Sequence, residues 1–284
     1  MHIERCLFGS QFFSLVSFEH APHAGHCADG DEKCSAYAVN FVEAGTFGLG
    51  VNDQTWQLTS GSVFLSEPGV VHRYHHFASI PSDVCLSARY SAPFIEAERE
   101  LRPEIFERAA STVPASNRLA FLRFQLGGLL NSRDPLAIET WGCDLFNAAR
   151  ASAPSTSKLY RSRQLAWYAD RIATARNRLE REFCEPHSLI SLARSVGMST
   201  FQFARVFHEL IGLPPHRYLI CRRLEHAVEM LRAGRPVTAA CFGSGFMNLS
   251  HFIRSFQRRF GCRPSTVRKR NVISSIRPFA VNRF

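Results

Sequence analysis

The feature that most constrains this 284-residue chain is an internal duplication near its C-terminus. FARVFHELIGLPP at 203–215 returns at an offset of 49 as FIRSFQRRFGCRP at 252–264, with Phe203/Phe252, Arg205/Arg254, Phe207/Phe256, Gly212/Gly261 and Pro215/Pro264 identical. A repeated segment is expected to fold the same way twice. Phe203, Phe207, Leu210 and Ile211 recur at helical spacing, as do Phe252, Phe256 and Phe260. Each copy therefore predicts an amphipathic helix with an aromatic core stripe. Each ends in a glycine suited to the left-handed position that closes a helix, then a proline that cannot prolong it.

A second short helix and a tight turn precede each copy. LISLARSV (189–196) breaks at Gly197, and Ser199 can cap the helix that follows. VTAACFGS (237–244) precedes Gly245 and Phe246, with Asn248 as candidate cap. This is the grammar of a helix-turn-helix, present twice. Between the copies, PHRYLICRRLEHAVEML (215–231) has no internal Gly or Pro and predicts a single rod of roughly 25 Å. Such a rod can set two recognition helices about one DNA turn, ~34 Å, apart.

Charge divides the chain in the same place. Residues 1–157 carry 11 Lys/Arg against 17 Asp/Glu, net 6 negative, and residues 158–284 carry 23 against 7, net 16 positive. The boundary is the Ser/Ala/Pro-rich stretch SAPSTS at 152–157. A domain this positive, nearly all of it arginine, is the footprint of phosphate-backbone binding, because planar guanidinium groups match phosphate oxygens and release counterions. A charge that served solubility alone would not concentrate in one half.

The run SLISLARSVGMSTFQFARVFHELIGLPPHRYLICRRLEHAVEML, followed by VTAACFGSGFMNLSHFIRSFQRRFGCRPSTVRKR, resembles the paired helix-turn-helix domain of AraC/XylS-type bacterial transcription regulators. The marks are Leu192, Ala193, Gly197, Ser199, Arg205, Phe207, Gly212, Pro215 and Tyr218, then Gly245, Phe246, Ser250, Phe252, Arg254, Phe256, Gly261 and Pro264. Two departures concern packing: the family's usual Ile-Ala pair in the second unit is Ala240-Cys241 here, and its closing Tyr-Arg is Val267-Arg268. The resemblance implies a regulator binding promoter DNA and RNA polymerase, with a small-molecule effector and a homodimer as further expectations.

With the phenylalanines inward, the first recognition helix turns Thr200, Phe201, Ala204, Arg205 and His208 outward beside Ser199. The second turns out Leu249, Ser250, His251, Arg254 and Arg258. The resemblance points to the same positions. Arg205 and Arg254 suit bidentate contacts to guanine, Ser250 and His251 suit base edges, and Phe201 suits thymine methyl groups. The alternative for each arginine is an ion pair with a carboxylate of the neighbouring helix. Arg258, Arg259, Arg263, Arg268, Lys269 and Arg270 read as backbone contacts, which give affinity without sequence information.

In the acidic half, AYAVNFVE alternates Tyr37, Val39 and Phe41 on one face, and TFGLGV, QTWQL and SVFLS follow as short strands. Turn signals at Asn52-Asp53, Ser60-Gly61 and Pro68-Gly69 predict a small β-barrel or sandwich. LTSGSVFLSEPGVVHRY resembles the cupin-like barrel that precedes the DNA-binding domain in many of these regulators and takes an effector in its mouth. Phe47, Trp56, Phe64, His72 and Tyr74 are the candidate lining, with plain core packing the alternative for each. Residues 92–150 turn helical: PFIEAERELRPEIFERAA, NRLAFLRFQLGGLL and PLAIETWGCDLFNAAR. Leu119, Leu122, Leu126 and Leu129/Leu130 form a stripe that either packs on the barrel or makes a dimer seam.

Two clusters raise metal chemistry. EHAPHAGHCADGDEKC (19–34) gathers His20, His23, His26, Cys27 and Cys34, ligand types that suit zinc or copper, in a loop marked by Pro22, Gly25 and Gly30. A metal- or redox-responsive regulator is the alternative reading there. HRYHH offers His72, His75 and His76, but a facial metal site needs a carboxylate, and Asp83 lies beyond a turn signal. The expectation is therefore a binding protein with no cofactor, not an enzyme. An architectural DNA-binding protein without an effector is the other rival.

No uncharged stretch reaches the ~20 residues of a membrane span, and Glu4 and Arg5 spoil a secretory leader. Nine cysteines without a Cys-x-x-Cys pair read as reduced thiols. These features predict a cytoplasmic protein of α+β class: a cupin-like β-barrel with a helical hairpin, linked to an all-α domain with two helix-turn-helix units. The expected boundaries are 1–151 for the effector and dimerisation domain and 152–171 for a linker and the start of a helix. Residues 172–271 then form the DNA-binding domain and 272–284 a tail.

Overall fold

In a computed structural model of the chain, residues 2–20, 31–76, 83–106, 111–132, 134–150 and 158–269 are described. They divide into two units, Met1–Leu159 and Tyr160–Phe284.

The first unit holds ten strands among the described residues: β1 (His2–Gly9), β2 (Phe13–His20), β3 (Asp31–Lys33), β4 (Tyr37–Ala44), β5 (Thr46–Val51), β6 (Gln54–Thr59), β7 (Val63–Ser66), β8 (Val71–His76), β9 (Asp83–Tyr90) and β10 (Thr112–Val113). They form two antiparallel sheets, ordered β1-β2-β9-β4-β7-β10 and β3-β8-β5-β6. The expected turns are present, with Asn52 at a positive φ of 53° in the β5–β6 hairpin.

β4 is paired along both edges, by β9 and β7, and its two faces are covered by the helices and by the other sheet, so its burial is almost continuous. Alternation survives in what each side touches. Val39 and Phe41 join Phe13, Leu15, Val63, Leu65, Leu86 and Ala88 in a core shared with the helices, while Val42 faces Phe47, Leu49, Val51 and Leu58 of the other sheet.

Three helices cover the outer face of the larger sheet: α1 (Ala92–Leu101), α2 (Asn117–Ser132) and α3 (Pro135–Arg150). The expected first helical segment, PFIEAERELRPEIFERAA, stops earlier. Arg102 adopts φ −146° and ψ 68°, because the ring of Pro103 clashes with a helical residue before it, and a short 3-10 turn follows at Pro103–Ile105, residues 107–110 of the segment lying outside the described ones. Leu119, Leu122 and Leu126 of α2 lie in the core with the sheet, so this stripe takes the packing role. Trp141 donates from Nε1 to the Leu122 carbonyl at 2.8 Å, and Tyr90 donates to the Gly142 carbonyl at 2.8 Å, pinning α3 to both α2 and β9.

The second unit is helical throughout its described residues: α4 (Ser162–Arg181), α5 (Leu189–Ser195), α6 (Thr200–Ile211), α7 (Pro215–Arg232), α8 (Val237–Gly243), α9 (Leu249–Phe260) and α10 (Pro264–Lys269). α4 is one continuous helix whose buried face runs from Leu165 through Tyr168 and Ile172 to Leu179. The buried Phe203 and Phe207 rings lie 5.6 Å apart and tilted in the core of the first helix-turn-helix, and Phe207 meets Tyr218 of α7 edge-on at 5.7 Å. Ile220, Leu224, Val228 and Leu231 of α7 serve the second core with Phe252 and Phe256. One helix thus carries a share of both hydrophobic cores. The departures from the family pattern sit where packing was expected: Ala240, Cys241 and Val267 are all buried in the second core.

Candidate nucleic-acid interface

Both recognition helices begin on a side-chain cap that satisfies an otherwise orphaned N–H. Ser199 accepts from Gln202 N at 3.3 Å, and the Asn248 Oδ1 accepts from His251 N at 2.9 Å. Both close on a left-handed glycine, Gly212 at φ 84° and Gly261 at φ 68°, a conformation that costs a side-chain-bearing residue dearly. The N-terminal turns that would enter a groove are therefore ordered by the sequence itself.

On α6 the outward positions are Phe201, Arg205 and His208, with Thr200 and Ala204 half-buried and Ser199 exposed at the cap. Phe201 is 81% exposed, which no packing role within this unit explains. Arg205 does pair with a carboxylate, but with one of its own helix: Nη1 lies 3.6 Å from Glu209 Oε1, one turn on. Glu209 also accepts the Tyr160 hydroxyl hydrogen bond.

On α9, Ser250, His251, Arg254 and Arg258 are exposed. The His251 Nε2 lies 3.4 Å from Ser255 Oγ, which orients its ring. Two expectations need correction. Leu249 is half-buried and packs against the second core instead of facing outward, and Arg259 is only 7% exposed and cannot serve as an open phosphate contact. Arg259 stands seven residues after Phe252, on the core stripe, with its guanidinium 5.8 Å from the Phe260 ring centroid. Arg263 is exposed as expected, while the side chains of Arg268 and Lys269, and Arg270 altogether, lie outside the described residues.

The turn before α9 is one residue longer than the turn before α6. Met198 N and Phe246 N donate to the equivalent carbonyls of Ala193 and Cys241, yet the caps Ser199 and Asn248 stand one and two residues further on. Met247 is the additional residue and is 92% exposed. An alignment of the two copies contains this insertion, as a repeat offset that changes from 48 before the turn to 49 after it.

Between the sheets of the first unit, the structure brings together Phe47, Phe64, His72 and Tyr74. Ring centroids lie 6.1 Å apart for Phe47–Phe64, 6.0 Å for Phe47–Tyr74 and 6.2 Å for Phe64–His72. Trp56 packs on the edge of the same cluster. His72 is 1% exposed, with Nδ1 3.1 Å from the Tyr74 hydroxyl. Burial holds the His72 imidazole below its ordinary pKa, against a smaller opposing pull from Glu32, and burial lifts the Tyr74 phenol well above its own. Both rings are therefore neutral hydrogen-bonding groups in an apolar interior.

Sequence reasoning missed Asn40, buried on the inward face of β4, which donates to Ser66 Oγ at 2.9 Å and the Phe64 carbonyl at 3.4 Å. The signal was an amide between Ala38 and Val42 on an otherwise apolar face. Of the histidine-cysteine cluster, residues 21–30 and the His20 side chain lie outside the described residues, and no group of three metal-ligating side chains occurs among the described ones.

Residues 192–270 match the family profile of a helix-turn-helix domain, and residues 22–79 match that of the AraC-like ligand binding domain. The virulence regulon transcriptional activator VirF of Yersinia enterocolitica is 31% identical over 91 residues, which are 32% of this chain and 34% of VirF. The regulatory protein ada of Salmonella typhimurium is 34% identical over 100 residues, 35% of this chain and 28% of that protein. The chain thus spans about a third of the length of these curated relatives. A solved structure of a probable AraC family transcriptional regulator from Rhodopseudomonas palustris is 28% identical with a TM-score of 0.34, covering 35% of this chain and 95% of that one.

Proposed function

We propose that this chain, which belongs to the AraC/XylS family of regulators, is a sequence-specific transcription regulator that grips promoter DNA with α6 and α9. The observation that carries the reading is the pair of capped helices presenting Arg205 and Arg254 at equivalent positions, in a half of the chain with net charge 16 positive. Arg254, Ser250 and His251 read bases from the second helix, and Arg205, Phe201 and His208 from the first. Arg258 and Arg263 hold the phosphate backbone.

In the same reading the first unit binds a small effector between its sheets, where Phe47, Trp56, Phe64 and Tyr74 supply apolar contact and His72 a neutral hydrogen-bonding group. Occupation of that interior changes how the helical unit engages DNA. RNA polymerase is the protein partner, the protein acts as a homodimer in the cytoplasm, and it performs no catalysis. The match of residues 22–79 to a ligand-binding domain favours this over a purely architectural DNA-binding role. No described helix is long and apolar enough to cross a membrane.

The test is selection of bound sequences by the full chain from a pool of random DNA duplexes. Enrichment of one reproducible motif is the expected result, and a pool that stays random through successive rounds overturns the proposal.

A further inference from the structure

The turn glycines of the two helix-turn-helix units sit in different surroundings. Nothing lies within 4 Å of where a side chain on Gly197 would begin, whereas at Gly245 the carbonyl oxygen and Cα of Cys184 lie at 2.7 and 2.8 Å. Cys184 belongs to the connection between α4 and α5, which leads into the first helix-turn-helix. That connection is laid across the turn of the second helix-turn-helix, so closely that Gly245 leaves no room for a methyl group. The Cys184 thiol donates to the Gly243 carbonyl at 3.2 Å.

Arg223 of α7 holds the connection there. Its Nε donates to the Phe183 carbonyl at 2.7 Å and its Nη2 to the Glu185 carbonyl at 2.8 Å. The planar guanidinium fork suits two backbone carbonyls just past a helix C-terminus, where the helix leaves acceptors unpaired and partial negative charge accumulates. The Phe183 ring packs against the His226 ring of α7 at 5.0 Å, and the Tyr218 hydroxyl of α7 donates to Glu180 of α4 at 2.5 Å. The strap thus adds a second attachment between the two helix-turn-helix units to the one that α7 and the bend after it provide. Two attachments remove a rotation that one attachment leaves free.

We propose that Arg223 is a positioning residue that clamps the α4–α5 connection onto the second helix-turn-helix and so fixes the distance between the DNA half-sites read by α6 and α9. This rests on the proposal that both helix-turn-helices bind one duplex. Arg223 touches no base in this role. It acts on specificity through spacing, because a rigid pair of recognition helices accepts one separation along the helical repeat of DNA and a hinged pair accepts several.

The experiment repeats the random-duplex selection with the full chain, its Arg223→Met variant and its Arg223→Lys variant, reading the separation of the two motifs in each enriched pool. The wild-type chain is expected to enrich two motifs at one separation and to discriminate roughly tenfold against one additional base pair between them. Arg223→Met is expected to enrich the same two motifs over several separations, with that discrimination falling to about twofold. Arg223→Lys keeps the charge but lacks the fork that reaches both carbonyls, and is expected to fall between.

Failure of the wild-type chain to enrich any motif would remove the DNA-binding reading itself. A single motif with no second half-site would remove the clamp proposal and leave DNA binding standing. A single unchanged separation in both variants overturns the clamp. So does loss of all binding in both, which would make Arg223 a residue of the fold and not of the spacing. If only Arg223→Met loses binding, the separations enriched by Arg223→Lys decide: a spread supports the clamp, and one value overturns it.

Discussion

At the scale of single residues, the duplicated arginines have diverged through their neighbours. Four residues after Arg205 stands Glu209, its ion-pair partner at 3.6 Å, while four residues after Arg254 stands Arg258, a second positive charge. In the proposed reading, Arg205 leaves a carboxylate to meet a base, whereas Arg254 leaves none among the described residues. Arg254→Ala is therefore expected to weaken binding to the selected motif by about 1–3 kcal/mol and to relax base preference at one position. Arg205→Ala should cost less, by the few tenths of a kcal/mol that an exposed pair one helical turn apart contributes. Titrations against duplexes with every base substituted in turn measure both effects, and equal weakening on all sequences would place Arg254 on the backbone. His72 gives a second residue-scale expectation. Its folded pKa lies below the ordinary value because burial disfavours the imidazolium, so in the window between the two the unfolded chain takes up a proton that the folded chain refuses. Its stability contribution is complete above the ordinary histidine pKa, about 6.5, and is lost as pH falls below it. Denaturation midpoints should drop more steeply for the wild-type chain than for His72→Gln as pH falls from about 7.5 to about 5.5, and parallel curves would remove the assignment.

At the scale of elements, legibility followed the range of the forces involved. The paired helices, their caps at Ser199 and Asn248 and their glycine stops could be read because helical period and capping are set by residues within one turn of each other. The same period, followed one turn further, would have placed Arg259 inside with Phe252 and Phe256. Its charge suggested an outward face that its position denies. What lay beyond the sequence was long-range: β4 pairs with β7 and β9, and β2 with β9, across stretches of chain in which no local pattern specifies the partner. The strap at Cys184 and Gly245 was hidden for the same reason, since its halves stand 61 residues apart. The close approach of Phe13 in β2 to Gly142 in α3 yields a prediction of its own. A Cβ on Gly142 would lie 2.6 to 2.9 Å from three ring carbons of Phe13, a buried ring also stacked on Tyr90. Neither ring can withdraw without disturbing the core, so Gly142→Ala should destabilise the first unit by about 1–3 kcal/mol. Calorimetry of the full chain should show one transition lowered, with the motif chosen in DNA selection unchanged; an unaltered melting profile would mean that the Phe13 ring has room to move.

At the scale of the whole molecule, the separation of charge sets how binding responds to its surroundings. The half with net charge 16 positive carries the recognition helices, and the half with net charge 6 negative carries the sandwich of sheets and aromatic interior. Attraction to DNA therefore belongs to one unit, and the other cannot add non-specific affinity. In the proposed function, an effector response would reach DNA by changing geometry or availability, not by supplying cations. Each phosphate neutralised contributes about 0.9 to the slope of log affinity against log salt, so engagement of about five phosphates implies a loss of roughly 500-fold from 50 to 200 mM salt. Arg263 and Arg259 separate this electrostatic term from packing. Arg263 is exposed just past α9, whereas Arg259 is buried four residues earlier. Arg263→Ala should lower the salt slope by about one without altering the selected motif or the melting temperature. Arg259→Ala should instead lower the melting temperature, because it empties a buried position beside Phe260. Salt titrations of the two variants on one selected duplex, beside their melting curves, measure this division. An unchanged slope in Arg263→Ala would remove it from the phosphate contacts and move the electrostatic footprint to the other exposed arginines of the helical unit.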